Sequence, residues 1–215
     1  MPLNNLALAQ TLSSQRGRLQ WKASAHLPTE YGDYRLHAFV DAQSGQEQIA
    51  LVLGEVSAQS RVLTRVHSEC LTGDVFGSQR CDCGEQFKRA QQLIQARGNG
   101  IILYLRGHEG RGIGISNKVQ AYGLQDTGLD TVAANLALGL PVDQRAYDDA
   151  AAMLQHFAVK SIELLSNNPE KSRALTRLGI AVDAVTALEI ASNPANADYL
   201  ATKKHRLGHH LSLVP

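Results

Sequence analysis

Between residues 34 and 63 the apolar positions fall in two short β-rich runs, one alternating (Leu36, Ala38, Val40) and one continuous (49–53), on either side of the turn-like segment DAQSGQEQ. Successive side chains on a strand point to opposite faces, so this spacing predicts an antiparallel meander. The period then lengthens. Over 85–96, Phe87, Ala90, Leu93 and Ile94 recur on one helical face, and Asn99-Gly100 leads into the apolar run IILYL at 101–105. Helical spacing returns over 113–122, 131–138, 148–157 and 169–178, with short apolar strands expected at 161–165 and 180–185. The pattern predicts a mixed α/β (α+β) single domain, with a β-rich N-terminal half followed by alternating helices and strands. Residues 1–20 carry no clear period and are expected to form a flexible extension, leaving 21–211 as the folded domain.

Composition narrows the classes of partner. Lys plus Arg number 21 against 20 Asp plus Glu, a net charge of +1, which gives no argument for nucleic acid, membrane surface or an acidic partner, and neither nucleic acid nor membrane is expected. The first residues, MPLNNLALAQ, lack a basic leader with a long apolar core, and no run approaches the ~18 apolar residues of a membrane span. A cytoplasmic protein is expected, and three cysteines are too few and too odd in number for a disulfide framework.

Those cysteines are the first candidate for chemistry. Cys70, Cys81 and Cys83 cluster in RVHSECLTGDVFGSQRCDCG. Three thiolates suit a catalytic zinc, which leaves a position open, whereas a structural zinc takes four protein ligands. Two alternatives stand: three small buried hydrophobes, or a closed Cys3His site completed by His67. Directly after 101–105 comes RGHEGRGIGI, four glycines with two arginines at the start of a helix. Backbone N–H groups and guanidinium forks there suit phosphate, and plain turn chemistry explains the glycines equally well. In LLSNNPEK, Asn168 is an expected N-cap with Pro169 at the first helical position, while Ser166 and Lys171 are placed to address a phosphate or a base. Asp143 is either a helix cap or, with Arg145, part of a site. Tyr122 by default is a half-buried aromatic on an amphipathic helix. His205, His209 and His210 lie in a polar tail and are expected to be a solvated end.

Taken together, RVHSECLTGD, CDCG, HEGRGIG, LQDTGLDT and SNNPEK, in this order and at these separations, resemble GTP cyclohydrolase II. The resemblance implies an enzyme that converts GTP to 2,5-diamino-6-ribosylamino-4(3H)-pyrimidinone 5′-phosphate, formate and diphosphate at the start of riboflavin synthesis. It implies one zinc per chain on Cys70, Cys81 and Cys83, magnesium with the GTP triphosphate, and a homodimer. It places Arg65, Val66, His67, Ser68, Glu69 and Gln86 against the nucleotide, with Glu109, Gly110 and Arg111 lining the phosphate and base pocket. Thr131, Ser166 and Lys171 fall on further GTP-contacting positions, Asp143 on a proton acceptor, Arg145 on a nucleophile or phosphate clamp, and Tyr122 on the ring-opening step. The form implied is the stand-alone enzyme, with no preceding dihydroxybutanone-phosphate synthase half. Ala133 stands where the family usually has an acid, Ser166 where it has threonine, and Ser192 where it has arginine. A nucleotide-binding sensor that has lost catalysis is the alternative, against which Asp143, Arg145 and Tyr122 speak.

Overall fold

The computed structural model describes residues 18–214. The predicted flexible extension therefore lies outside the described residues up to residue 17, and Leu19 already opens the first strand. Seven strands form one sheet in the order β1-β2-β3-β5-β4-β6-β7: β1 (Leu19–Thr29), β2 (Gly32–Asp41), β3 (Glu47–Leu53), β4 (Val62–Ser68), β5 (Gly100–Leu105), β6 (Ile162–Leu165) and β7 (Val182–Thr186). The first three form the antiparallel meander, and β3 also pairs antiparallel with β5. From β5 outward through β4, β6 and β7 the pairing is parallel.

The predicted meander thus stops at β3 and does not continue to residue 63. The reason is in the burial of β4. Every residue from Val62 to His67 is buried, a two-sided pattern that belongs in a sheet interior covered by helices and not on a half-solvated meander. A helix carries the chain from β4 to its parallel neighbour β5.

Seven helices accompany the sheet among the described residues: the single turn α1 (Leu71–Asp74), α2 (Cys83–Arg97), α3 (Gly114–Asp126), α4 (Thr131–Ala137), α5 (Asp148–His156), α6 (Pro169–Arg177) and α7 (Ala197–Leu207). The alternation along β5 shows how they cover it. Ile101, Leu103 and Leu105 share one apolar cluster with Met153 and Leu154 of α5 and Leu175 of α6. Ile102 joins Ala90 and Ile94 of α2 on the other face. Helices therefore bury both faces of the centre of the sheet, and its pattern reads as a continuous apolar run. The expected caps are present: Gly98 ends α2 with a left-handed φ of 82°, and the Asn168 side chain accepts from the Glu170 N–H at 3.0 Å with Pro169 beginning α6. No helix of the described residues is long and apolar enough to cross a membrane.

Besides the single turn α1, two elements are absent from the sequence reading. β1 is an edge strand of mostly exposed residues that includes Pro28, so it lacks the apolar signal of an inner strand. α7 falls in what was expected to be a solvated tail, yet it buries Leu200, Thr202 and Lys203.

Candidate active site

The parallel strands β4, β5 and β6 all end on the same side, and the loops that follow them converge on one cavity. Ligand sites of α/β sheets form at such carboxyl ends. Three motifs far apart in sequence meet there because of this: the cysteine loop after β4, the RGHEGR loop after β5, and SNNP after β6.

Three sulfurs line the cavity. The thiols of Cys70, Cys81 and Cys83 all lie within 4.8 Å of one another, with Cys70 and Cys81 3.7 Å apart. Bonds of ~2.3 Å in a tetrahedron would set sulfurs roughly 3.8 Å apart, so the triplet already has the dimensions of a zinc site. Gly73 makes this approach possible, since a Cβ there would sit 2.9 Å from the Cys81 sulfur and 3.3 Å from that of Cys70. Cys70 is held well below the ordinary thiol range by hydrogen bonds from Cys81 and Cys83, against burial and aided by Lys118. Its thiolate in turn pushes Cys81 up to about 11, and Cys83 is raised further by both neighbours and by burial. Three thiols, two buried and one half-buried, that resist losing all their protons together are what a bound dication would stabilise as thiolates.

His67 is no member of this group. Its Nε2 meets the Asp74 carboxylate at 3.0 and 3.1 Å, and the same carboxylate accepts from the Tyr104 hydroxyl at 2.8 Å and the Cys70 N–H at 3.0 Å. Asp74 therefore orients the first cysteine and occupies the histidine that a closed Cys3His site would need. Lys118, unremarked in the sequence, places its Nζ 3.1 Å from the Cys70 sulfur and 2.6 Å from Glu109.

Cations gather in the same cavity. Arg145 forks onto Asp143 through Nε at 2.9 Å and a terminal nitrogen at 2.5 Å, with its second terminal nitrogen 3.4 Å from the Ser68 hydroxyl. Burial lowers its pKa, but the bonds to Asp143 more than reverse this, so the guanidinium stays charged. Lys171 is buried and donates to the Val66 carbonyl at 2.6 Å; burial, then Arg65, Arg145 and Lys203, drive its pKa well below the ordinary lysine value. Arg65 donates to Gln86 at 2.7 Å and to the Leu165 carbonyl at 3.0 Å; Gln86 donates to Asp82 at 2.7 Å, and Asp82 is ion-paired with Lys203. Arg111 sits at a left-handed φ of 65° in the glycine loop. Among the described residues, Arg65 Nε, His67 Nδ1 and an Arg111 terminal nitrogen are buried without a partner, and all three residues line the cavity. Buried polar atoms left open in a polar cavity point to a ligand that pairs with them.

Of the residues singled out from sequence, Arg65, His67, Ser68, Glu69, Gln86, Gly110, Arg111, Tyr122, Thr131, Arg145, Ser166, Lys171 and the three cysteines line this one cavity. Val66 does not: its side chain is in the apolar core and only its carbonyl reaches Lys171. Glu109 turns away to Lys118 and to the Leu71 N–H at 2.6 Å, which makes it a support of the cysteine loop. Asp143 lies behind Arg145 and bonds to it with both oxygens. His108, which lies inside the RGHEGR motif but was not singled out, and Lys118, Tyr199 and Lys203, which carry no motif signal, also line the cavity; so does His209, which is therefore not part of a solvated end as expected. Ala133 and Ser192 lie off the cavity lining, and Ser166 keeps its hydroxyl there.

The chain matches the GTP cyclohydrolase II family over residues 20–187. It is 50% identical to GTP cyclohydrolase-2 of Acinetobacter baylyi over 192 residues, 89% of this chain and 96% of that protein. It is 51% identical to GTP cyclohydrolase-2 of Streptomyces coelicolor over 199 residues, 93% of this chain and 90% of that protein. The riboflavin biosynthesis protein RibBA of Salinispora tropica is 51% identical over 189 residues, 88% of this chain but 47% of that longer protein.

Proposed function

The chain belongs to the GTP cyclohydrolase II family, and on that premise we propose that it is the zinc-dependent cytoplasmic hydrolase of riboflavin biosynthesis that converts GTP to 2,5-diamino-6-ribosylamino-4(3H)-pyrimidinone 5′-phosphate, formate and diphosphate. One observation carries the reading: a single cavity lined both by three clustered thiol sulfurs and by Arg65, Arg111, Arg145 and Lys171. A purine ring bearing a triphosphate has a use for both sets. Magnesium enters with the triphosphate as its counter-ion, and a homodimer is the working form we infer from the family.

Cys70, Cys81 and Cys83 would hold the zinc. When bound it supplies Lewis acidity and water acidified from 15.7 towards about 7 for opening of the imidazole ring and loss of its C8 as formate. Tyr122 lines the same cavity. Burial raises the pKa of its hydroxyl, against hydrogen bonding by Thr72 and the charge of Lys118, so the phenol keeps its proton and acts as a donor to the ring nitrogen that departs. Glu69 is oriented by the Gly107 N–H at 2.8 Å and is the carboxylate available to relay a proton.

Arg145 clamps the phosphoryl group that transfers. A guanidine nucleophile would have to lose its proton, and the fork onto Asp143 stabilises the protonated form. Asp143, with both oxygens on Arg145, fixes the orientation of the clamp. Lys171, Arg111 and Ser68 complete the cradle, and the Arg65 Nε–H, as donor, and His67 Nδ1, as acceptor, reach the base.

A paired assay of diphosphate and formate from one reaction tests this division of labour. Tyr122→Phe should leave diphosphate release running while formate release falls, and Arg145→Ala should depress both. If Tyr122→Phe slows both products equally, or Arg145→Ala spares formate, the assignment is wrong.

A further inference from the structure

The segment after residue 187 lies outside the stretch matched to the family, yet it forms one wall of the cavity. α7 brings Tyr199 and Lys203 there, and the chain just past its end brings His209. Three anchors hold it. Lys203 is ion-paired with Asp82, Arg206 is ion-paired with Asp130, and the His210 N–H donates to the Asn167 carbonyl at 2.8 Å. Each anchor sits beside a residue of the cavity: Asp82 between Cys81 and Cys83, Asp130 next to Thr131, Asn167 next to Ser166. One short segment therefore ties together three loops that build the site.

The same anchors aim His209. Gly208 ends α7 at a left-handed φ of 65°, and the His209 N–H closes back on the Lys203 carbonyl at 3.0 Å, which turns the imidazole into the cavity instead of along the helix. There it faces Lys203, Arg111, Arg145 and Lys171; burial first, and then these four charges, push its pKa down to about 3. A neutral imidazole among four cations shares one kind of ligand with them: an anion with several oxygens, to which a ring N–H donates.

The geometry points to His209 as a polyphosphate-binding residue of the nucleotide site, delivered by the C-terminal helix, with Lys203 and Arg206 as positioning residues that hold the helix in place. This rests on the reading of the cavity as a GTP site.

The test is titration calorimetry of GTP and guanosine on zinc-loaded wild type, His209→Ala and His209→Gln, beside formate release from GTP by the wild type. His209→Ala should weaken GTP about tenfold, equivalent to ~1.4 kcal/mol, while guanosine stays within about twofold and zinc content is unchanged. His209→Gln keeps an N–H and should recover most of the loss, which a simple packing role would not allow. Equal weakening of GTP and guanosine, or no weakening of GTP, overturns the inference. A wild type that binds GTP but releases no formate, with the selective loss still seen in His209→Ala, would instead sink the cyclohydrolase reading and leave the binding role standing.

Discussion

Replacing Lys203 by methionine removes one charge from the best-buried ion pair of the site. Asp82 is 1% exposed and the Lys203 side chain 10%, so water cannot take over the lysine's role. Burial opposes ionisation of Asp82 and the charge of Lys203 overrides it, holding the carboxyl below its ordinary range; with Lys203 gone, Gln86 is the remaining side-chain donor to it. Breaking a buried pair by deleting one partner costs about 3–5 kcal/mol because a charge is left uncompensated. At roughly 2–4 °C per kcal/mol for a chain of this size, the melting temperature should fall by about 6–20 °C. The double variant Lys203→Met with Asp82→Asn should recover at least half of that, since the amide still accepts from Gln86 and no charge is stranded. Scanning calorimetry of the single and double variants at saturating zinc measures both. A single variant within ~2 °C of wild type, or a double variant as unstable as the sum of its parts, would show that the pair does not hold the cysteine loop.

Cys81→Ser should abolish stoichiometric zinc, because a neutral hydroxyl replaces one of three thiolates, while His67→Ala should retain it, since that imidazole is committed to Asp74; zinc analysis after dialysis decides, and loss of metal in His67→Ala would restore a closed four-ligand site. His108 is pushed down to about 4 by burial and then by Arg145 and Lys171, against about 6.5 unfolded. Below the latter value the unfolded chain takes up a proton that the folded one refuses, so this contribution to stability is present above pH ~6.5 and lost as pH falls towards 4. Urea midpoints of His108→Gln over that window should vary less with pH than those of wild type; identical profiles would refute the assignment.

The inner elements were legible because they obey strong periods. α2, β5, α5, β6 and α6 show their apolar face or run directly, and Asn168-Pro169 marks the start of α6 without ambiguity. β4 was misplaced because its chemistry interrupts its hydrophobicity: Thr64, Arg65 and His67 are buried polar residues, so a central strand imitates the end of a meander. α7 escaped notice for a related reason. Its buried residues include Thr202 and Lys203, and a lysine that is buried to meet Asp82, 121 positions away, looks in sequence like any solvated lysine. The site divides in the same way. Residues that touch the cavity from short motifs were found, whereas Lys118 and Lys203, which depend on a partner from another loop, were not.

The partners of the cations explain why the cavity selects a polyanion. Lys203 has Asp82 and Lys118 has Glu109, so these two charges are neutralised within the fold and serve mainly to hold loops in place, whereas the pairing of Arg145 with Asp143 aims its guanidinium. The hydrogen bonds of Lys171 and Arg65 go to carbonyls and an amide. Neither group gains a counter-charge from those bonds, and burial penalises both. An anion entering the cavity therefore interacts with charges whose desolvation has already been borne by folding, and it meets the buried open donors of Arg65 and Arg111 without displacing any internal ion pair. A neutral nucleoside offers the same cavity its base but leaves those charges uncompensated. Discrimination between nucleoside and nucleotide is thus built into which cations the fold leaves without an acid, and affinity should climb with each phosphate that reaches Lys171 and Arg111.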